Sequence, residues 1–180
     1  MNIWHDIDES RISSKSFMVC IEISKGSKNK YELDKDTGLL RLDRVLYTST
    51  HYPASYGFIP RTYAEDNDPL DVLVLCQEPI LPLTIVECYP IGVIKMMDSD
   101  EVDEKVIAVV KNDPSMNNFK DICDLPQHIL DEFKHFFNVY KQLENKHTVV
   151  SEILGKQDAE VTINRCINIY KDKFVNKKGC

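Results

Sequence analysis

Between Phe17 and about Leu154 the chain consists of short runs of β-branched and aliphatic residues cut by turn clusters, a pattern that suits strands rather than long helices. Phe17, Val19, Ile21 and Ile23 alternate with Met18, Cys20 and Glu22. This period of two gives a strand one apolar row and turns Glu22 away from it. Lys30-Tyr31-Glu32-Leu33 and Leu39-Leu40-Arg41-Leu42 flank the turn Asp36-Thr37-Gly38 and are expected to pair as a hairpin, with Lys30 and Glu32 on one face. Leu70 to Leu75, Ile85 to Met97, Val106 to Val110 and Thr148 to Ile153 supply further strands. Several strands with short connections point to a closed barrel, since closure leaves no sheet edge exposed.

The period changes only in the last third. Ile129, Phe133, Phe136, Tyr140 and Leu143 keep helical spacing behind Asp124 as the expected N-cap, with Pro126 in the first turn. A second helix is expected from about Gln157 to Phe174, its apolar stripe being Ala159, Ile163, Cys166, Ile167, Tyr170 and Phe174. No repeat or linker interrupts the 180 residues, so a single domain, 1–180, is expected. No run approaches the roughly 20 apolar residues of a membrane span, and the start of the chain has neither a basic nor an apolar region. The expectation is a cytoplasmic protein with no membrane partner.

Lys and Arg number 22 against 29 Asp and Glu, a net charge of −7. Such a surface repels phosphate backbones, which argues against a general nucleic-acid partner. The six cysteines include no C-x-x-C pair, so neither a zinc knuckle nor a redox motif is supported; most are expected to be reduced and several buried, with Cys180 exposed and reactive. The five histidines show no ligand spacing and are given no catalytic part.

Chemistry concentrates in two acidic segments. Asp66-Asn67-Asp68-Pro69-Leu70-Asp71-Val72 places three carboxylates just before a buried strand. A lone D-x-D is more often a solvated turn than a cation site, but Pro69 and the apolar run behind it make a freely solvated loop less comfortable. Asp98-Ser99-Asp100-Glu101-Val102-Asp103-Glu104-Lys105, taken alone, reads as an exposed hairpin tip. If a barrel joins the two segments, Asp66, Asp71, Asp98 and Asp103 could share divalent ions. Without a Cys/His ligand set the hard oxygen donors favour Mg²⁺ over Zn²⁺. Lys30, Arg44, Tyr52, Tyr56, Lys105, Tyr140 and Lys141 are interleaved with these acids, and as a set they offer the donors that phosphate oxygens require.

These residues resemble the soluble inorganic pyrophosphatases of the first, magnesium-dependent family. Asp66-Asn67-Asp68-Pro69-Leu70-Asp71-Val72 fits that family's D-x-D-P-x-D signature. Val19 to Ile23, Lys30 to Asp34, Asp43-Arg44, Tyr52 to Ile59, Gly92 to Met96, Asp98 with Asp103 and Lys105, and Phe136-Phe137 with Tyr140-Lys141 follow in the family's order, from about Phe17 to Glu144.

The resemblance implies a mainly β, α+β fold: a five-stranded closed, OB-like barrel with C-terminal helices packed outside. It implies hydrolysis of pyrophosphate to two orthophosphates with several Mg²⁺ per active site. Asp66, Asp71 and Asp103 would hold the tighter metal, Asp71 bridging to a second. Asp98 and Asp103 would hold a metal arriving with substrate, and Glu22 and Glu32 would act mostly through water. Asp68 would be the general base. Lys30, Arg44, Tyr56, Tyr140 and Lys141 would grip the phosphoryl groups, with Tyr52 and Lys105 at further cavity positions. Ser99 stands where relatives often carry another acid, and the short termini resemble the compact bacterial type, implying a homo-oligomer, a hexamer. Two other readings use the same residues: a barrel that binds polyanions without chemistry, and a hydrolase of another phosphoanhydride.

Overall fold

A computed structural model describes residues 2–99 and 101–176. In chain order the strands are β1 (Phe17–Ile23), β2 (Asn29–Leu33), β3 (Leu40–Val45), β4 (Ser55–Phe58), β5 (Asp71–Leu75), β6 (Ile85–Asp98), β7 (Glu101–Val110) and β8 (Thr148–Gly155). The helices are α1 (Ile3–Asp6), α2 (Gln127–Val139) and α3 (Lys156–Tyr170). Strands pair in the order β1-β4-β5-β7-β6, and β6 returns to β1, so five strands close into a ring. Within the ring β5 and β7 run parallel while the other neighbours are antiparallel. β6 is long enough to serve twice: its first residues pair with β1, and Gly92 to Asp98 carry β8. The β2–β3 hairpin stands apart as its own two-stranded sheet.

Alternation along β5 and β7 divides the core. Val72, Val74, Val106 and Ala108 pack with Phe17, Val19 and Ile21 of β1, and with Ile163 and Cys166 of α3. Leu73, Leu75, Ile107 and Val109 point the other way, onto Phe133, Phe136 and Phe137 of α2. Burying each such phenylalanine contributes about 1.5–3 kcal/mol, which is what fixes α2 to this face. A third cluster joins Trp4 of α1 to Cys20, Leu33, Phe58, Tyr63 and Tyr170. Gly57 lets β4 approach β1: a Cβ there would lie 1.9 Å from the Cys20 carbonyl oxygen.

Several boundaries differ from expectation. Asp124 does not cap α2; it belongs to a 3₁₀ turn, Ile122–Asp124, whose cap is Asp121. Leu125 is extended (ψ 145°), as a residue before proline prefers, and Pro126 is the N-cap rather than a first-turn residue. Leu143 lies beyond α2 in another 3₁₀ turn and is exposed. The second helix starts at Lys156 and is α-helical to Tyr170, then continues as a π turn, Lys171–Val175. The second acidic segment is mostly strand, since β7 begins at Glu101, which turns Asp103 and Lys105 to one face and Glu104 to the other. α1 was not foreseen. Cys20, Cys88 and Cys166 are buried free thiols, and burial pushes Cys20 and Cys166 up to about 12. Cys180 lies outside the described residues, among which no helix is long and apolar enough to cross a membrane.

Candidate active site

The alternation that sends Leu73, Ile107 and Val109 toward α2 also decides where the charged residues point. Asp71 precedes Leu73 by two residues, and Asp103 and Lys105 precede Ile107 by four and two, so all three share the α2 face. Parallel pairing sets Asp71 directly beside Lys105. The Lys105 ammonium, 3% exposed, donates to Asp71 Oδ2 at 2.8 Å and to the Tyr56 hydroxyl at 2.9 Å, and sits 3.0 Å from Asp103 Oδ2. Tyr56, from β4, in turn donates to Asp71. Tyr140 and Lys141 follow the last turn of α2, and Lys141 pairs with Asp98 at the end of β6.

A cleft of about 200 Å³ gathers these groups. The sequence-derived candidates lining it are Glu22, Lys30, Glu32, Tyr52, Tyr56, Asp66, Asp68, Asp71, Asp98, Asp103, Lys105, Tyr140 and Lys141. Arg44 is not among the lining residues. It stands beside the wall, cross-strand from Lys30, with Nε donating to Glu144 at 3.0 Å and Nη1 to Asp43 at 2.6 Å. Its Nη2 is buried without a partner among the described residues.

The electrostatics follow from crowding acids in a partly desolvated space. Burial pushes the Glu22 carboxyl up to about 8, against the Leu33 N–H that donates to it at 2.7 Å, and the nearby Asp71 and Glu32 charges add to the rise. Desolvation, then the Asp71 charge, pushes Asp66 up to about 6. Burial also raises Asp103, although Lys105 opposes it. Burial works against the Lys105 charge too, but Asp103 and Asp71 outweigh it and hold the ammonium well above its usual range. Burial keeps the Tyr52, Tyr56 and Tyr140 phenols protonated, as donors.

Among the described residues no three His, Cys, Asp or Glu side chains are gathered closely enough to close around an ion. The expected metal carboxylates Asp66, Asp71, Asp98 and Asp103 share the cleft but do not form a ready cage. Ammonium groups stand between them instead: Lys105 between Asp71 and Asp103, Lys141 on Asp98, and Lys30 on Glu32. The donor set still fits hard divalent cations, because it is oxygen-only and its acids drive one another's pKa upward, a repulsion that added positive charge would relieve.

Three contributors escaped the sequence reading. Lys35, in the β2–β3 turn, lines the cleft and pairs with Asp68. Trp4 lines the same side, and Glu144 anchors Arg44. A turn lysine and a terminal tryptophan carry no signal until the fold brings them in. A weak signal existed for Glu144, which follows Tyr140-Lys141 closely in sequence.

A closed five-stranded barrel that holds carboxylates opposite cationic and phenolic donors in one cleft defines a barrel enzyme for a multiply charged anion. Comparison with known proteins narrows that class. Residues 19–171 match the family model described as inorganic pyrophosphatase. The chain is 48% identical over 176 residues to soluble inorganic pyrophosphatase 2 of Chlamydomonas reinhardtii, covering 97% of this chain and 91% of that one. It is 46% identical over 173 residues to soluble inorganic pyrophosphatase 1 of Arabidopsis thaliana, covering 96% and 82%. The crystal structure of inorganic pyrophosphatase from Thermus thermophilus superimposes with a TM-score of 0.89 at 39% identity, over 95% of this chain and 99% of that one. The inorganic pyrophosphatase of Helicobacter pylori gives 0.88 at 43% identity, over 92% and 99%. The chain belongs to the inorganic pyrophosphatase family, and its reaction is the hydrolysis of pyrophosphate to orthophosphate.

Proposed function

We propose that the cleft binds pyrophosphate together with several divalent cations, Mg²⁺ by the hardness of the donors, and that Asp68 takes the proton of the attacking water. The observation that carries this reading is the gathering in one cleft of the carboxylates Asp66, Asp68, Asp71, Asp98 and Asp103 with the ammonium groups of Lys30, Lys105 and Lys141 and the hydroxyls of Tyr56 and Tyr140. Carboxylates alone would repel a multiply charged anion, so the mixture suits an anion that arrives with neutralising cations.

Asp66, Asp71 and Asp103 would hold the tighter cation, Asp98 and Asp103 the one arriving with substrate, and Glu22 and Glu32 would act through water. The cations would supply neutralisation of the pyrophosphate charge and acidification of a water. The chain's own residues do the rest. Lys30, Arg44, Tyr56, Tyr140 and Lys141 orient the two phosphoryl groups, while Tyr52 and Lys105 fix the cavity wall and its charge. Asp68 receives the proton as the water oxygen bonds to phosphorus and the bridging P–O bond breaks. The same cationic donors stabilise the departing phosphate. Neither a cysteine nor a serine is required, and no bond to the enzyme forms. The reading extends to a single-domain subunit, 1–180, working as a homohexamer in the cytoplasm.

Phosphate release from pyrophosphate, measured with Mg²⁺, with chelator and with Asp68→Asn, tests it. Release should require Mg²⁺ and fall at least about a hundredfold in the variant, the usual scale for a lost acid–base group. Near-native turnover in Asp68→Asn would remove Asp68 from the base role, and turnover undiminished by chelator would remove the cations.

A further inference from the structure

We infer that Lys35 is a positioning residue for the hydrolysis, holding the Asp68 carboxylate in its working orientation from the tip of the β2–β3 hairpin. The inference rests on the reading of Asp68 as the base. Asp68 sits in an exposed loop, and Lys35 is the one side chain among the described residues that contacts its carboxylate. Left alone, an exposed aspartate samples several rotamers, and a base that must reach one water benefits from having them restricted.

Lys35 is itself held from three sides. Its ammonium lies 5.0 Å from the centroid of the Trp4 ring, a cation–π distance, and its carbonyl accepts from the Asn2 side chain at 3.3 Å. The turn that carries it is closed by Asp34, whose Oδ1 accepts from the Asp36 and Thr37 N–H groups. Leu33, two residues earlier, is buried with Trp4 in the same cluster.

Trp4 connects the two halves of the pair. Its indole N–H donates to the Thr62 carbonyl at 2.9 Å, and the Thr62 hydroxyl accepts from the Leu70 N–H at 2.8 Å. Thr62 and Leu70 bracket the loop bearing Asp68. One buried ring therefore sets both the height of the loop and the position of the ammonium that pairs with it.

The test is a double-mutant cycle on the full chain with Mg²⁺ and pyrophosphate: Lys35→Met, Lys35→Arg, Asp68→Asn and Lys35→Met with Asp68→Asn. Lys35→Met should lower kcat about tenfold with KM changed less than about twofold, and Lys35→Arg should recover kcat to within about threefold. In the Asp68→Asn background, adding Lys35→Met should change kcat less than about twofold, because nothing is left to position. An equal loss in both backgrounds would overturn the inference, as would a raised KM at native kcat, which would make Lys35 a substrate-binding cation, or native kcat in Lys35→Met. If Asp68→Asn itself turns over at near-native rate, the base assignment fails, and that outcome is distinct from additivity in the cycle.

Discussion

Replacing Lys105 with methionine keeps the length and most of the volume of the side chain while deleting one charge and three donors. The ammonium stands 2.8 Å from one aspartate and 3.0 Å from another. At an effective dielectric of about 20 each contact has a gross attraction of about 6 kcal/mol, and desolvation of the buried lysine offsets much of it. Deletion does not simply return the balance to zero, because Asp71 and Asp103 remain close and partly buried without a counter-charge, Asp71 keeping only its bond from the Tyr56 hydroxyl. Breaking a buried pair in this way costs about 3–5 kcal/mol. Asp103, already raised by burial, can take up a proton and moderate the loss, so we take the lower figure, about 3 kcal/mol. For a chain of this size that is a fall in Tm of about 6–12 °C. Thermal and urea unfolding of Lys105→Met in chelator should show the full deficit, and saturating Mg²⁺ should narrow it by supplying positive charge between the same acids. A Tm within about 2 °C of the native protein in chelator would refute the reasoning, since the ammonium would then contribute nothing that its removal exposes.

Gly57→Ala should be severe for a steric reason, since the new Cβ would fall 1.9 Å from a backbone oxygen of β1; we expect a loss of at least about 3 kcal/mol by denaturant titration, and a change under about 1 kcal/mol would mean that β4 can move off β1. His5 supplies a pH dependence away from the cleft. Burial, reinforced by Arg61 and Lys35 and opposed by Asp6, lowers its pKa below the ordinary 6.5. The folded state thus binds fewer protons than the unfolded chain just below that value, so the His5 contribution is complete above pH 6.5 and is lost as pH falls through 6.5 toward the folded pKa. The Tm of His5→Gln should therefore fall less steeply than that of the native protein between about pH 6.5 and 5, and parallel curves would remove His5 from the account.

β1 and the β2–β3 hairpin were legible in the sequence from the alternation of residue types and from the turn at Asp36-Thr37-Gly38, although β1 proves to be buried on both faces, Cys20 and Glu22 included. β4 was not: Ser55-Tyr56-Gly57-Phe58 follows a proline and holds a glycine, and only its neighbours on both sides make it a strand. α1, four residues long, is too short to display a helical period. In the cleft, the D-x-D-P-x-D segment announced itself, and the order of acids, cations and tyrosines named most of the charged and phenolic lining residues but not Lys35 or the apolar wall of Trp4, Leu33, Phe58 and Phe137. Asp103 and Lys105 were expected in the cavity as a metal carboxylate and a supporting cation, but their segment taken alone read as an exposed hairpin tip and their pairing with each other was not foreseen, since a run of charges hides the alternation that turns them inward. Lys35 and Arg44 show the limit. Their partners, Asp68 and Glu144, lie 33 and 100 residues away, and no local pattern encodes such pairings.

The parallel seam between β5 and β7 also has a consequence for how the chain folds. Asp71 and Lys105 meet only after the whole β6 hairpin has been laid down and returned, so the loop entropy of closing the ring must be met before the two charges can attract. An open ring keeps Asp71 and Asp103 apart, and only the closed ring brings both into the cleft where, on the proposed reading, a cation would be held. A divalent ion should then bind late on the folding route. Mg²⁺ should slow unfolding in proportion to the stability it adds while leaving the refolding rate nearly unchanged, so the ion would act as a latch on a ring that closes without it.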